Sequence, residues 1–338
     1  MIDDKTKTLL FCYYRHIKLK KDFFSIYWNI PTAMCQKYGI NFSDLNDHGI
    51  LQNGNDEFVG EKITILYDPG FFPAMLNRSI RNNGIPQEGD LKKHLILFEK
   101  ELETAIPEKN FSGIGVIDFE HWRPIWRENW GSLDKYKQLS LDTERKRHPF
   151  WSKTALENRA IQRFEKAASR FIDETLSKAV KLRPRGQWGY YAYPYCFNFT
   201  PKNPEKKCTQ NVQKDNDRSS WMFRTGNALF PSLYLREKQL NEYKRVKMME
   251  GRINEAKRLA SKDALKQINI FPYLAIKYQD TYSFLSKQDM LNAIKTARKT
   301  GSSGLILWAS YKDTNSAKKC QQLQDYVQNT LKPVIKGL

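Results

Sequence analysis

The stretch Gly113-Ile-Gly-Val-Ile-Asp-Phe-Glu-His-Trp-Arg-Pro-Ile-Trp126 decides how the rest of the chain is read. Ile114, Val116 and Ile117 make a short apolar run, and β-branched residues in such a run favour a buried strand. The run ends on two acids, Asp118 and Glu120, with Phe119 between them. Side chains two apart on a strand point to the same side, so the acids share one face. Carboxylates are seldom buried unless something holds them there. A bare pair of this kind is as readily an exposed strand end. The neighbouring Trp122, Arg123 and Trp126 favour a carbohydrate active site instead.

Working outward, strand-like runs are expected at 23–28, 62–67, 187–195, 228–234, 268–276 and 304–308, besides the opening stretch. Between them, apolar residues at helical spacing predict helices at 90–105, 152–182, 240–261 and 286–299. In the longest, Leu156, Ala160, Phe164, Ala168, Phe171 and Leu176 form one stripe. Strands alternating with helices argue for parallel βα units. The expected fold class is therefore α/β, a distorted TIM-like (β/α) barrel with about seven strands. No Gly-rich dinucleotide fingerprint, P-loop or internal repeat competes with that reading. In such barrels chemistry sits at the C-terminal strand ends. Asp68, Asp118, Glu120, Tyr191, Tyr193, Tyr234 and Trp308 gather there. Trp188, Tyr190 and Tyr193 read as core, whereas Tyr191, Tyr234 and Trp308 read as site.

The charge balance is 56 Lys+Arg against 37 Asp+Glu, a net +19, which calls for an anionic partner without choosing one. Runs such as Arg145-Lys-Arg147 and Lys18-Leu-Lys-Lys21 read as solvated surface. No apolar run approaches the ~20 residues of a membrane span, so no membrane insertion is expected. The segment 1–22 reads as a basic tail or truncated leader ahead of a single domain over 23–338. The five cysteines contain no C-x-x-C pair, which argues against a zinc site. Cys196 and Cys208 flank a polar loop that they can close. Cys35 and Cys320 would then tie the two ends of the domain, worth roughly 4–5 kcal/mol in the loop-entropy picture. Cys12 is left over. Sequons at Asn41, Asn77, Asn110 and Asn198 are candidate glycosylation sites and, with the cysteines, point to a secreted, extracellular protein.

The segments 25–29, 67–70, 113–130, 188–196, 229–235 and 305–308 together resemble the hyaluronidases of glycoside hydrolase family 56, most of all those of bee and wasp venom. The likeness runs from about residue 23 to the C-terminus, and the motif from Gly113 to Pro124 is its most specific part. It implies that Glu120 is the general acid/base and Asp118 the partner that holds the substrate's N-acetyl group. Tyr191, Tyr234 and Ser232 would line that group's pocket, with Trp308 as a wall. Arg123 would contact the acidic sugar or orient Glu120. The resemblance also implies the disulfides Cys35–Cys320 and Cys196–Cys208, no cofactor, no metal, and a monomer acting on hyaluronan, with chondroitin as a second substrate. Two departures stand out: His121 and Ala309 replace the Arg and Gly of the venom enzymes.

Retaining glycosidases usually set two carboxyl groups ~5–5.5 Å apart across the scissile bond. Two acids side by side on one strand suit a single acid/base aided by a neighbour. An N-acetyl sugar can then supply its own amide oxygen as nucleophile. The expectation is an endo-acting, retaining β-1,4 N-acetylhexosaminidase. The competing readings are a catalytically silent, lectin-like relative and a nucleic-acid-binding protein. The second lacks any recognisable binding motif, so no nucleic acid is expected as a partner.

Overall fold

The computed structural model describes residues 24–262 and 267–338; the expectations for the segment 1–22 and Cys12 lie outside them. Eleven strands are found among these residues: β1 (Ser25–Asn29), β2 (Ile50–Leu51), β3 (Ile63–Tyr67), β4 (Ala74–Met75), β5 (Ile80–Arg81), β6 (Ile114–Asp118), β7 (Gln187–Tyr190), β8 (Ala228–Leu229), β9 (Asn269–Ile270), β10 (Tyr273–Ala275) and β11 (Gly304–Trp308). β4 and β5 form a small antiparallel hairpin outside the ring. The others pair in parallel, as the alternation of strand and helix requires.

β6 lies between β3 and β7, in a register that sets Tyr67 beside Asp118. Gly115 is needed there, because a Cβ would stand 2.5 Å from the Trp188 ring. β7 passes to β8 through a bridge from Tyr191 to Phe230, and β8 pairs with β9. β10, β11, β1 and β2 complete the other side, with Asn29 beside Trp308. No backbone ladder joins β2 to β3. There the buried Asn53 side chain takes the place of a strand. Its amide donates to the Ile63 carbonyl at 2.8 Å and accepts from the Lys62 and Ile63 amides at 2.9 and 3.0 Å.

The seven expected strands are all present, but three are shorter than their sequence runs. At 187–195 the strand stops at Tyr190, because Ala192 takes a positive φ of 67° and the chain turns away. Pro231 and Pro272 interrupt the runs at 228–234 and 268–276, since proline lacks the N–H a ladder needs.

Alternation sorts the side chains. Ile63, Ile65, Ile114, Val116, Phe230, Phe271 and Ile306 fill the ring. Leu66, Ile117, Trp188 and Tyr190 face outward under the helices Leu91–Ala105 and Lys153–Leu182. Ile26, Trp28, Leu305 and Leu307 face the helices Glu242–Ala260 and Lys287–Lys299. Asp90, Ser152, Asn241 and Ser286 cap these four helices with side-chain oxygens. Trp188, Tyr190 and Tyr193 are core, as expected.

Both expected disulfides are formed. Cys35–Cys320 ties a turn after β1 to the helix Ala317–Tyr326, and Cys196–Cys208 closes the loop after β7. Asn41, Asn77 and Asn110 are exposed. Asn198 is the exception among the sequons. It is buried, its amide donates to the Lys206 and Met248 carbonyls, and its oxygen accepts from Arg252. This fold has no room for a glycan there. Among the described residues no helix is long and apolar enough to cross a membrane.

Candidate active site

Each inward-facing row of the ring is apolar at the bottom and polar at its C-terminal end. Ile63 and Ile65 lead to Tyr67, Ile114 and Val116 lead to Asp118, and Ile306 leads to Trp308. Glu120 lies just past the end of β6, in phase with Asp118. Phe119, between them, points the other way and is buried. It stacks on Phe72 with centroids 4.0 Å apart and meets Trp122 edge-on at 4.7 Å. Trp122 is pinned in turn by its indole N–H, which donates to the Pro73 carbonyl at 2.7 Å. Burial of this aromatic knot presents both acids to the mouth. Of the residues the opening stretch contributes, Trp122 and Trp126 are core, not site.

Opposite the acids stands a wall of rings. Trp308 stacks on Tyr234 at 5.6 Å, and its indole N–H donates to the Tyr67 hydroxyl at 2.9 Å. Tyr191 lies beside Tyr234 and meets Tyr273 edge-on. Its hydroxyl is within hydrogen-bonding reach of Tyr234 and Ser232. The Tyr273 hydroxyl donates to Asn29 at 3.1 Å. The structure thus brings Asp118, Glu120, Tyr191, Ser232, Tyr234 and Trp308 around one mouth. Tyr67 and Asn29 also belong to it. Tyr67 was findable, since it continues the inward phase of Ile63 and Ile65. Asn29 is recognisable only once Trp308 is known to lie beside it.

Arg123 stands at the rim, over a different set of rings from Tyr191 and Tyr234. Its guanidinium sits over the rings of Tyr195, Phe197 and Trp130 at 4.6, 5.2 and 5.3 Å, and it donates to the Glu128 carbonyl at 2.7 Å. It is close enough to Glu120 to act on its charge. Behind the mouth, Asp68 is gripped by Arg81 through two 2.7 Å bonds and by His121 at 3.0 Å. His121 therefore turns away from Glu120 toward a structural acid. Ala309 is buried behind Trp308.

Neither Asp118 nor Glu120 has a hydrogen-bond or ion-pair partner for its carboxylate among the described residues. Burial therefore dominates their titration. The Asp118 carboxyl is pushed up to about 7, first by burial and then by the negative charges of Glu120 and Asp68. Glu120 is also raised by burial, against the opposing pull of Arg123 and His121. Burial raises Asp68 as well, but its bonds to His121 and Arg81 prevail and hold it low. Tyr67 is pushed up to about 12 and Tyr191 upward by burial, so both remain neutral hydrogen-bonding groups. An acid pair that keeps a proton near neutrality, facing neutral hydroxyls and a stacked indole, is equipped to protonate a glycosidic oxygen and grip a sugar.

The family profile described as hyaluronidase, glycoside hydrolase family 56, matches residues 14–338. The chain belongs to the hyaluronidases of glycoside hydrolase family 56. The hyaluronidase of Apis mellifera is 45% identical over 322 residues, covering 93% of this chain and 84% of that one. That of Polistes annularis is 44% identical, covering 94% and 87%. A crystal structure of bee venom hyaluronidase superposes with a TM-score of 0.89 at 46% identity, over 93% of this chain and 99% of the other. A second, of bee venom hyaluronidase in complex with a hyaluronic acid tetramer, gives 0.90 at 45% identity over 93% and 98%. As a hyaluronidase the chain is an enzyme, a glycosidase, and its fold is the TIM-like barrel of that family.

Proposed function

We propose that the enzyme hydrolyses hyaluronan, cutting β-1,4 N-acetylhexosaminide bonds within the polymer with retention of configuration, and that it accepts chondroitin as a second substrate. The observation that carries this reading is the unpartnered, proton-holding pair Asp118–Glu120 facing Tyr191, Tyr234 and Trp308. A relative of 45% identity crystallised with a hyaluronic acid tetramer supports the choice of polymer.

A two-carboxylate displacement is disfavoured by the layout. Asp118 and Glu120 project side by side from one strand end, and the neighbouring Asp68 is occupied by Arg81 and His121. The substrate's acetamido oxygen is then the nucleophile. Glu120 gives its proton to the leaving oxygen as the glycosidic C–O bond breaks, while the acetamido oxygen bonds to the anomeric carbon. Asp118 accepts a hydrogen bond from the amide N–H, and the Tyr191 and Tyr234 hydroxyls flank the developing ring. Glu120, now a carboxylate, takes a proton from water as that water opens the ring at the anomeric carbon, which restores the enzyme. Two displacements at one carbon give retention. The stacked Trp308–Tyr234 pair offers an apolar face to the sugar, and Ser232 holds Tyr191 in place.

Two disulfides and three exposed sequons support secretion into an oxidising compartment. The test follows polymer size over time. The parent should reduce hyaluronan to short even-numbered oligosaccharides, whereas Glu120→Gln should lose at least about 10³-fold in turnover while still binding polymer. Retention of more than a few per cent of activity by that variant would overturn the assignment of Glu120.

A further inference from the structure

A basic cleft lies on the outer wall of the barrel, away from the mouth. On the helix Lys153–Leu182, Arg159, Arg163, Lys166 and Arg170 rise at intervals of four, three and four residues, which brings them onto one face. With Gln87 and Gln162 they line a cleft of about 320 Å³. None of these residues belongs to the barrel mouth. The nearby acids are already neutralised: Glu88 pairs with Arg147 at 2.7 Å and with Arg163 at 3.0 Å, and Arg163 also holds Glu144. Arg170 is paired with Glu174. Arg159 and Lys166 have no acidic partner among the described residues, so the cleft keeps net positive charge.

Gln87 adds a different signal. Both its amide nitrogen and its amide oxygen are closed off from solvent with no hydrogen-bond partner among the described residues. An amide left so is costly, and native structures rarely keep one without use. Arg163 donates to the Gln87 backbone carbonyl at 3.5 Å, which sets this residue beside the basic row. A primary amide donates through nitrogen and accepts through oxygen. Beside Lys166 and Arg159, which donates to Gln162 at 3.2 Å but has no acidic partner, that combination suits a group carrying a carboxylate and hydroxyls together.

We infer that this cleft is a second binding site, for a uronic-acid unit of an anionic polysaccharide, which would anchor a long polymer outside the mouth. The choice of a polyuronate rests on the glycosaminoglycan reading of the mouth. The test therefore uses a polymer without acetamido groups, which the proposed chemistry cannot cut.

The probe is a fluorescently labelled alginate oligosaccharide, a chain of 1,4-linked uronic acids, titrated by anisotropy at fixed salt. Gln87→Met changes no charge and should weaken binding at least fivefold. The double change Arg159→Ala with Lys166→Ala should weaken it more than tenfold. Lys295→Ala with Lys299→Ala removes the same charge from the helix Lys287–Lys299 and should cost less than twofold. Hyaluronan turnover on short oligosaccharides should be unchanged in all three. No binding by the parent overturns the inference. So does parental affinity in Gln87→Met, or an equal loss in the Lys295/Lys299 variant, because surface charge alone would then explain the binding. If the alginate pattern holds but the parent cuts no hyaluronan, the cleft stands and the reading of the mouth fails.

Discussion

The proton that Asp118 keeps is bought with stability. Its carboxyl titrates at about 7 in the folded chain against an ordinary 3.8, because burial and the charges of Glu120 and Asp68 oppose ionisation. Between those two values the folded state binds more protons than the unfolded one, so stability falls as pH rises through that window. Below the lower value the penalty is absent, and above the upper one it is complete. Asp118→Asn keeps the shape and removes the titration. It should therefore melt higher than the parent at pH 8, by roughly 2–4 °C for each kcal/mol relieved, and at the same temperature at pH 4. Thermal unfolding at both values checks this, and an equal difference at the two would show that ionisation is not the cause. The same residue shows what a sequence can reveal of a site. The spacing of Asp118 and Glu120 was legible because strand periodicity is geometric. The grip of Arg81 and His121 on Asp68 was not, because it joins residues far apart in the chain.

At the scale of elements, the seven longer strand runs and the four long helices could be read because each buries a regular apolar pattern, whereas the two-residue strands β2, β4 and β5 are too short to carry one. The helix Asp134–Arg147 could not, since the residues it buries are Tyr136, Ser140 and Glu144, two of them polar. Ser140 donates to the carbonyl of Tyr136, and one carboxylate oxygen of Glu144 pairs with Arg163, so neither announces a core face in the sequence. The gap between β2 and β3 is of the same kind. A single asparagine there does the work of a ladder, and no local pattern marks it. Asn53→Ala would strand the Lys62 and Ile63 amides in the barrel wall and leave the Ile63 carbonyl only its 3.3 Å bond from the Gly60 amide. Replacement should cost about 2–4 kcal/mol, as unsatisfied buried groups do. A urea unfolding midpoint would measure the loss. An unchanged midpoint would mean that the ring does not depend on this closure.

Across the whole molecule, the first and last strands of the ring meet as β1 and β11, so the mouth borrows Asn29 from one end of the chain and Trp308 from the other. Cys35–Cys320 fastens that seam across 285 residues, whereas Cys196–Cys208 closes only 12. The loop-entropy picture gives the long closure the larger effect on the unfolded chain. Locally the order reverses. The short disulfide sits among Val212 and Phe197, next to the Tyr195–Phe197 stack that carries the Arg123 guanidinium at the rim. Cys35 and Cys320 are buried far from those rings, in the cluster under the Glu242–Ala260 and Lys287–Lys299 helices. The two bonds should therefore separate stability from function. Replacing both Cys35 and Cys320 by alanine should cost about 2–5 kcal/mol, read as a lower unfolding midpoint, with kcat at 25 °C within twofold of the parent. Replacing both Cys196 and Cys208 should cost less stability but raise KM for hyaluronan severalfold, as Arg123 loses its aromatic seat. If the KM change follows the long disulfide instead, the seam rather than the rim controls how the mouth receives polymer.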